Sequence, residues 1–96
     1  MFSMMKIEVA DYVLHEDEKR KQMYIDLDRI QFYNIYVNPF CVMTISEITD
    51  NVSTKEPTLD ICLITLSDGN KFIVKKKPED MLRILETHID GINLPY

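Results

Sequence analysis

Residues 63–77 read LITLSDGNKFIVKKK: two apolar runs flank Ser67-Asp68-Gly69, and three lysines close the stretch. How the runs pair decides which side chains share a core. A two-residue turn at Asp68-Gly69 pairs Leu66 with Lys71 and Ile64 with Ile73, which mixes lysine into both faces. A three-residue loop with Gly69 in the left-handed conformation pairs Leu66 with Asn70, Ile64 with Phe72 and Cys62 with Val74. One face then collects Cys62, Ile64, Leu66, Phe72 and Val74, and a slip of one residue would turn that whole set outward. The three-residue loop is therefore the predicted register, with Asp60 opposite Lys76 as a charge pair. The reverse face carries Ile61, Leu63 and Ile73 beside Thr65, Lys71 and Lys75, a mixture that predicts partial cover only.

Downstream, Pro78 suits a first helical position, and Glu79 and Asp80 suit the positive end of a helix dipole. Met81, Leu82, Leu85 and Ile89, flanked by Ile84 and His88, form an apolar stripe at helical spacing over 78–90. Gly91 is then placed for a left-handed cap, with Ile92 in contact behind it. Upstream, residues 6–14 alternate as a strand does, with Ile7, Val9 and Val13 on one face. HEDEKRK at 15–21 reads as a loop or hairpin tip. Alternation resumes at 23–28 around Ile25 and Leu27. The run 30–37 is rich in β-branched and aromatic residues and ends at Asn38-Pro39, and 40–48 is a further strand. Residues 49–57 have turn-type composition and read as one long hairpin loop between pairing partners.

These elements predict a single α+β domain over residues 1–96, with tails at 1–4 and 93–96. Its core is a strongly curved antiparallel sheet of five or six strands, closed off by one C-terminal helix. The chain is 46% hydrophobic and 28% charged, an ordinary globular balance rather than a disordered one.

Sixteen acidic and eleven basic residues give a net charge of -5. That balance disfavours general binding to nucleic-acid phosphates and suits docking on a basic partner surface. No stretch approaches the roughly 20 apolar residues of a membrane span, and MFSMMKIEVADYV lacks the apolar core of a secretory signal. An intracellular, cytoplasmic protein is expected, with Cys41 and Cys62 as reduced, buried thiols.

Enzymatic motifs are absent. Two glycines rule out a dinucleotide fingerprint and a phosphate loop. His15 and His88 lie far apart in the chain, and neither paired cysteines nor paired histidines occur at metal-ligand spacing. His15-Glu16-Asp17-Glu18 reads as a solvated loop, and Asp26 and Asp28 as acids on the wet face of a strand. Neither a cofactor nor a metal is expected, and no catalytic residue is assigned.

Two features could make contacts. Lys75-Lys76-Lys77, near Lys71 and Arg83, is the one basic cluster, but alternation sends Lys76 away from Lys75 and Lys77. It is a solvated strand end or, alternatively, a patch carried by Lys71, Lys75 and Lys77. In Tyr33-Asn34-Ile35-Tyr36-Val37 the first, third and fifth residues take one face, with Phe32 and Tyr36 on the other. Either the sheet closes on itself and buries both faces, or Tyr33 and Tyr36 belong to an interface with a partner or a second copy.

The run Tyr24-Ile25-Asp26-Leu27-Asp28-Arg29-Ile30, the hairpin from Thr65 to Val74 and Pro78-Glu79-Asp80 together resemble a pattern of small bacterial and phage proteins. The family is the swarming-motility, FlbD-type one, and the resemblance covers residues 24–86. It implies strands, a hairpin, a C-terminal helix and a non-enzymatic accessory role, and it carries over no catalytic residue. The chain departs from it by an extra N-terminal strand, the long middle loop and the 40–48 strand.

The expected function is that of a small interaction protein that docks its sheet face or edge on a protein partner, as a homodimer. One alternative is a phage-encoded acidic regulator of a nucleic-acid-binding host protein. Another is a small-ligand binder with a pocket between sheet and helix.

Overall fold

A computed structural model describes residues 4–56 and 59–92, with side chains as far as Ile89. The predicted tails at 1–3 and 93–96, and Pro57 at the end of the predicted 49–57 loop, lie outside the described residues. Met4, at the edge of the N-terminal tail, is exposed.

The fold is α+β, with a five-stranded antiparallel sheet and one C-terminal helix, as the sequence predicts. In chain order the strands are β1 (Met5–Asp11), β2 (His15–Asp17), β3 (Gln22–Asp26), β4 (Tyr33–Val37), β5 (Val42–Ser46), β6 (Asn51–Ser53), β7 (Cys62–Leu66) and β8 (Lys71–Val74). Helix α1 covers Pro78–Ile92. The large sheet has the order β4-β1-β8-β7-β5, and a separate three-stranded sheet has the order β2-β3-β6.

The β7–β8 hairpin adopts the predicted register: Ile64 faces Phe72 and Cys62 faces Val74. The Leu66 N–H donates to the Asn70 carbonyl at 2.9 Å, and Gly69 sits at φ 92. Only a residue without a Cβ takes that conformation cheaply. The Asp68 carboxylate accepts from the Asn70 backbone at 2.9 Å and fixes the loop further. The ladder stops at Cys62–Val74, however, so Asp60 and Lys76 lie beyond it and form no ion pair.

Two cores lie on opposite faces of the large sheet. The larger holds Met5, Ile7 and Val9 of β1, Cys62 and Ile64 of β7, Val74, and Met81 and Leu85 of α1. The smaller holds Ala10, Ile25, Leu27 and Ile73, with Phe32, Ile61 and Leu59 against them. Val9 and Ala10 are adjacent and both fully buried, because β1 at that point is covered on both sides. Ile73 is likewise fully buried, while Ile61, Leu63 and Thr65 on its face are half-buried and Lys71 and Lys75 exposed, the partial cover that the sequence predicts. The cover at that point is the segment 25–32, with Leu59 and Ile61 beside it.

The three-stranded sheet and the open large sheet correct two expectations. The stretch predicted as one long hairpin loop carries β6 at Asn51–Ser53, which runs parallel to β3 and pairs Ile25 with Val52. The Leu27 N–H adds a bond of 3.0 Å to the Ser53 carbonyl, and the Asp28 carboxylate accepts from the Lys55 backbone at 3.2 and 3.1 Å. Nor does the large sheet close on itself; its second face is buried only around Ala10 and Ile73, while Lys6, Glu8, Asn34 and Tyr36 on that face are exposed. HEDEKRK is a hairpin, with Asp17 accepting from the Lys19 backbone at 3.0 Å and Lys21 turning the chain at φ 53.

The large sheet is nevertheless coiled, and the reason is covalent. Its two edge strands, β4 and β5, are joined directly by residues 38–41. In a flat sheet, four spacings would put those edges roughly 19 Å apart. The connection holds a 3-10 turn, Pro39–Cys41, which rises only about 2 Å per residue. Asn38 caps this turn by accepting from the Phe40 N–H at 3.0 Å, and Pro39 supplies its first residue. A link that short brings the end of β4 round towards the start of β5 without their pairing.

Three smaller differences follow from packing. The strand expected over 30–37 starts only at Tyr33, because Phe32 and Ile30 turn into the smaller core. Val13 lies past the end of β1 and is exposed. The helix runs through Gly91 to Ile92, in place of a left-handed cap at Gly91.

Candidate functional site

Strand β5 pairs with β7 on one side only, so the alternate backbone N–H and C=O groups on its other side are unpaired in the sheet. Its register shifts between Val42 and Thr44, which makes Met43 a bulge. The extra residue lets both Val42 and Ile45 face the larger core, opposite Leu66 and Ile64, and throws Met43 outward. Met43 is 65% exposed.

Helix α1 lies beside this edge. Met81 and Leu85 are buried in the core, one turn apart. Leu82 follows Met81 by about 100° of helical rotation, which carries it to the border of the stripe. The sequence reading placed Leu82 in the buried stripe, whereas it is 46% exposed and faces the groove between helix and edge. Met43, Thr44 and Ile45 form one wall of that groove, and Glu79, Leu82 and Leu85 the other. Its volume is about 320 Å³.

At Pro78 and Glu79 the groove meets a second cleft, bordered by Glu47, Asp60 and Lys77. Three carboxylates against one ammonium make this end acidic. Glu79 also acts inward. Burial, then the Glu79 carboxylate, raise the Cys62 thiol to about 11, with Lys76 pulling the other way. Cys62 is a free, buried thiol as expected, but Cys41 is only half-buried, in the 3-10 turn.

The contact residues proposed from sequence do not converge on one place. Tyr33 and Lys71 border one shallow cleft at the hairpin end of the sheet, along with Asp11. The Tyr33 hydroxyl donates to the Asp11 carboxylate, and that bond raises the phenol's pKa. Lys75 is engaged elsewhere, its Nζ 4.3 Å from the centre of the Phe32 ring. This is cation–π distance, and it seals the rim of the smaller core. Lys77 lies at the acidic cleft, and Tyr36, 64% exposed, stands on the opposite edge strand across from Lys6.

Acids that could suggest chemistry are engaged in structure. Asp26 pairs with Arg29 at 3.5 Å, Asp28 holds the Lys55 backbone, and Asp17 holds the hairpin turn. Among the described residues, no group of three or more His, Cys, Asp or Glu could hold a metal ion, and no helix is long and apolar enough to cross a membrane.

The sequence reading missed Met43 and the exposure of Leu82. Period-two alternation in Val42–Ser46 hides the bulge, and no local pattern tells that β5 is an edge. Comparison with protein-family models, curated proteins and solved structures finds no match.

Proposed function

We propose that this chain is a non-enzymatic interaction protein that docks on a protein partner through the β5 edge and the groove beside α1. The observation that carries this reading is the placing of two exposed apolar side chains, Met43 and Leu82, beside an unpaired strand edge. An added strand would satisfy the free backbone groups, and its side chains would dry the groove. Burying exposed apolar surface of that kind is worth roughly 25 cal/mol per Å². The resemblance of residues 24–86 to small accessory proteins agrees with a role in binding.

The test is capture of a partner from extract of the native host. The double variant Met43→Glu and Leu82→Glu, both at exposed positions, should lose the partner while keeping its fold. The double variant Lys71→Glu and Lys77→Glu should retain it. Retention by the groove variant would reject this docking surface.

Self-association belongs to the same reading, and Tyr36 on the free β4 edge is its surface. Light scattering at high concentration reads it directly: a dimer has twice the 11.3 kDa chain mass. A mass that stays monomeric rejects the dimer. The groove volume favours one second reading, a small apolar ligand between sheet and helix, because about 320 Å³ falls at the lower end of ligand-pocket sizes. Capture of a protein that depends on Met43 and Leu82 separates the two.

A further inference from the structure

The groove beside β5 continues, through Pro78 and Glu79, into the cleft that holds Glu47 and Asp60. We infer that its occupant is an extended segment of a partner protein, adding to β5 as an antiparallel strand with apolar side chains in the groove and a lysine or arginine at its N-terminal end over Glu47 and Glu79. This deepens the docking reading above and rests on it.

The antiparallel sense continues that of the large sheet, in which every pair of strands is antiparallel. β5 runs from Val42 to Ser46, so Glu47 lies just beyond its C-terminal end. An antiparallel strand begins where its neighbour ends, which sets its first residues at the acidic cleft. The bulge at Met43 interrupts the ladder near the start of β5, so regular pairing is available over Thr44–Ser46, the half nearest the carboxylates. Pairing and charge therefore act at the same end of the strand.

Charge selects the occupant. Glu47, Asp60 and Glu79 face a single cation, Lys77. A second copy of the chain fits poorly here. A β5–β5 pair centred on Thr44 would set Cys41 of the second copy opposite Glu47, and residues 40–46 contain no lysine or arginine. An acidic segment would add like charge beside Glu47 and Glu79.

The experiment is an amide-resolved NMR titration of the whole chain with synthetic heptapeptides of alternating valine and threonine. One probe carries Lys-Arg at its N-terminus, a second Glu-Glu there, and a third Lys-Arg at its C-terminus. The first should shift the amides of β5 and of Glu79, Leu82 and Leu85. It should bind at least about fivefold more tightly than the other two, the size expected of two partly exposed ion pairs. The variant Glu47→Gln with Glu79→Gln, both on the surface, should remove that preference while leaving the residual binding of all three peptides.

Equal binding of the three peptides overturns the basic end, and a preference for the third overturns the antiparallel direction. No shift in β5 with any peptide overturns the strand occupant, and concentration-dependent broadening of β5 without peptide gives the site to a second copy. Each of these leaves the capture experiment free to report separately on whether a protein partner docks at Met43 and Leu82.

Discussion

Replacing Ile73 with alanine tests the smaller core on the second face of the large sheet. Ile73 is fully buried with Ala10, Ile25 and Leu27, and Phe32, Leu59 and Ile61 pack against them. The substitution removes three carbons, worth about 2.4 kcal/mol in transfer at roughly 0.8 kcal/mol each. A cavity cost adds to this, limited because the covering segments outside the large sheet can partly settle into the gap. The expected loss is about 3 kcal/mol, out of a total of roughly 5–14 kcal/mol for a chain of this length. With a urea m-value of about 1.2 kcal/mol/M, the midpoint should fall by about 2.5 M. Ile64→Ala, in the larger core, should lose as much or more. A double-mutant cycle between Ile73→Ala and Ile25→Ala should show coupling, because both side chains line one cluster. A loss at Ile73 below about 1 kcal/mol, with no coupling to Ile25, would mean that Ile73 is open to water and that the smaller core does not form.

Gly69→Ala should cost about 1–2 kcal/mol in the same unfolding assay, all of it backbone, because a Cβ there meets nothing within 4 Å while φ is 92; an unchanged midpoint would dismiss the left-handed loop. Cys62, pushed up to about 11, should resist thiol reagents at pH 8 far longer than Cys41, and rapid modification of both thiols would contradict its burial. The sign of its effect on stability follows. A thiol whose folded pKa lies above the unfolded 9 contributes fully below pH 9, and that contribution is lost as pH rises towards 11, at up to about 1.4 kcal/mol per unit. Removing the thiol with Cys62→Ala should flatten that part of the stability–pH curve. Asp28→Ala should release the Lys55 backbone and raise amide exchange around 51–55 with a stability loss of about 1 kcal/mol, and exchange that stays slow there would assign β6 another anchor.

What the sequence discloses and what it hides divide along physical lines. The β7–β8 register is readable because only one pairing gathers Cys62, Ile64, Phe72 and Val74 on one face, and Gly69 supplies the conformation which that pairing requires. Helix α1 is readable because Pro78, Glu79 and Asp80 mark its start and Met81 and Leu85 keep helical spacing. Strand β6 is not readable. Asn-Val-Ser has loop composition, and its pairing partner Tyr24-Ile25-Asp26 lies more than twenty residues earlier, joined by parallel bonds that leave no local trace. The same holds for the edge position of β5, which depends on the order of the other four strands. Met43 and Leu82 acquire their exposure from that order, so a reading along the chain assigns Leu82 to the core stripe. Of the sequence-derived contacts, only Tyr33 and Lys71 share a cleft, since the coiled sheet separates positions that a linear pattern groups together.

Hydrogen exchange on the chain bound to the partner it captures tests the docking edge most directly. Docking at this edge predicts new protection confined to residues 42–48 and 78–85, where β5, the acidic cleft and the helix face meet. Protection that appears instead on the β4 edge around Tyr36, or along Lys71, Lys75 and Lys77, with the amides of β5 exchanging as fast as in the free chain, would contradict it.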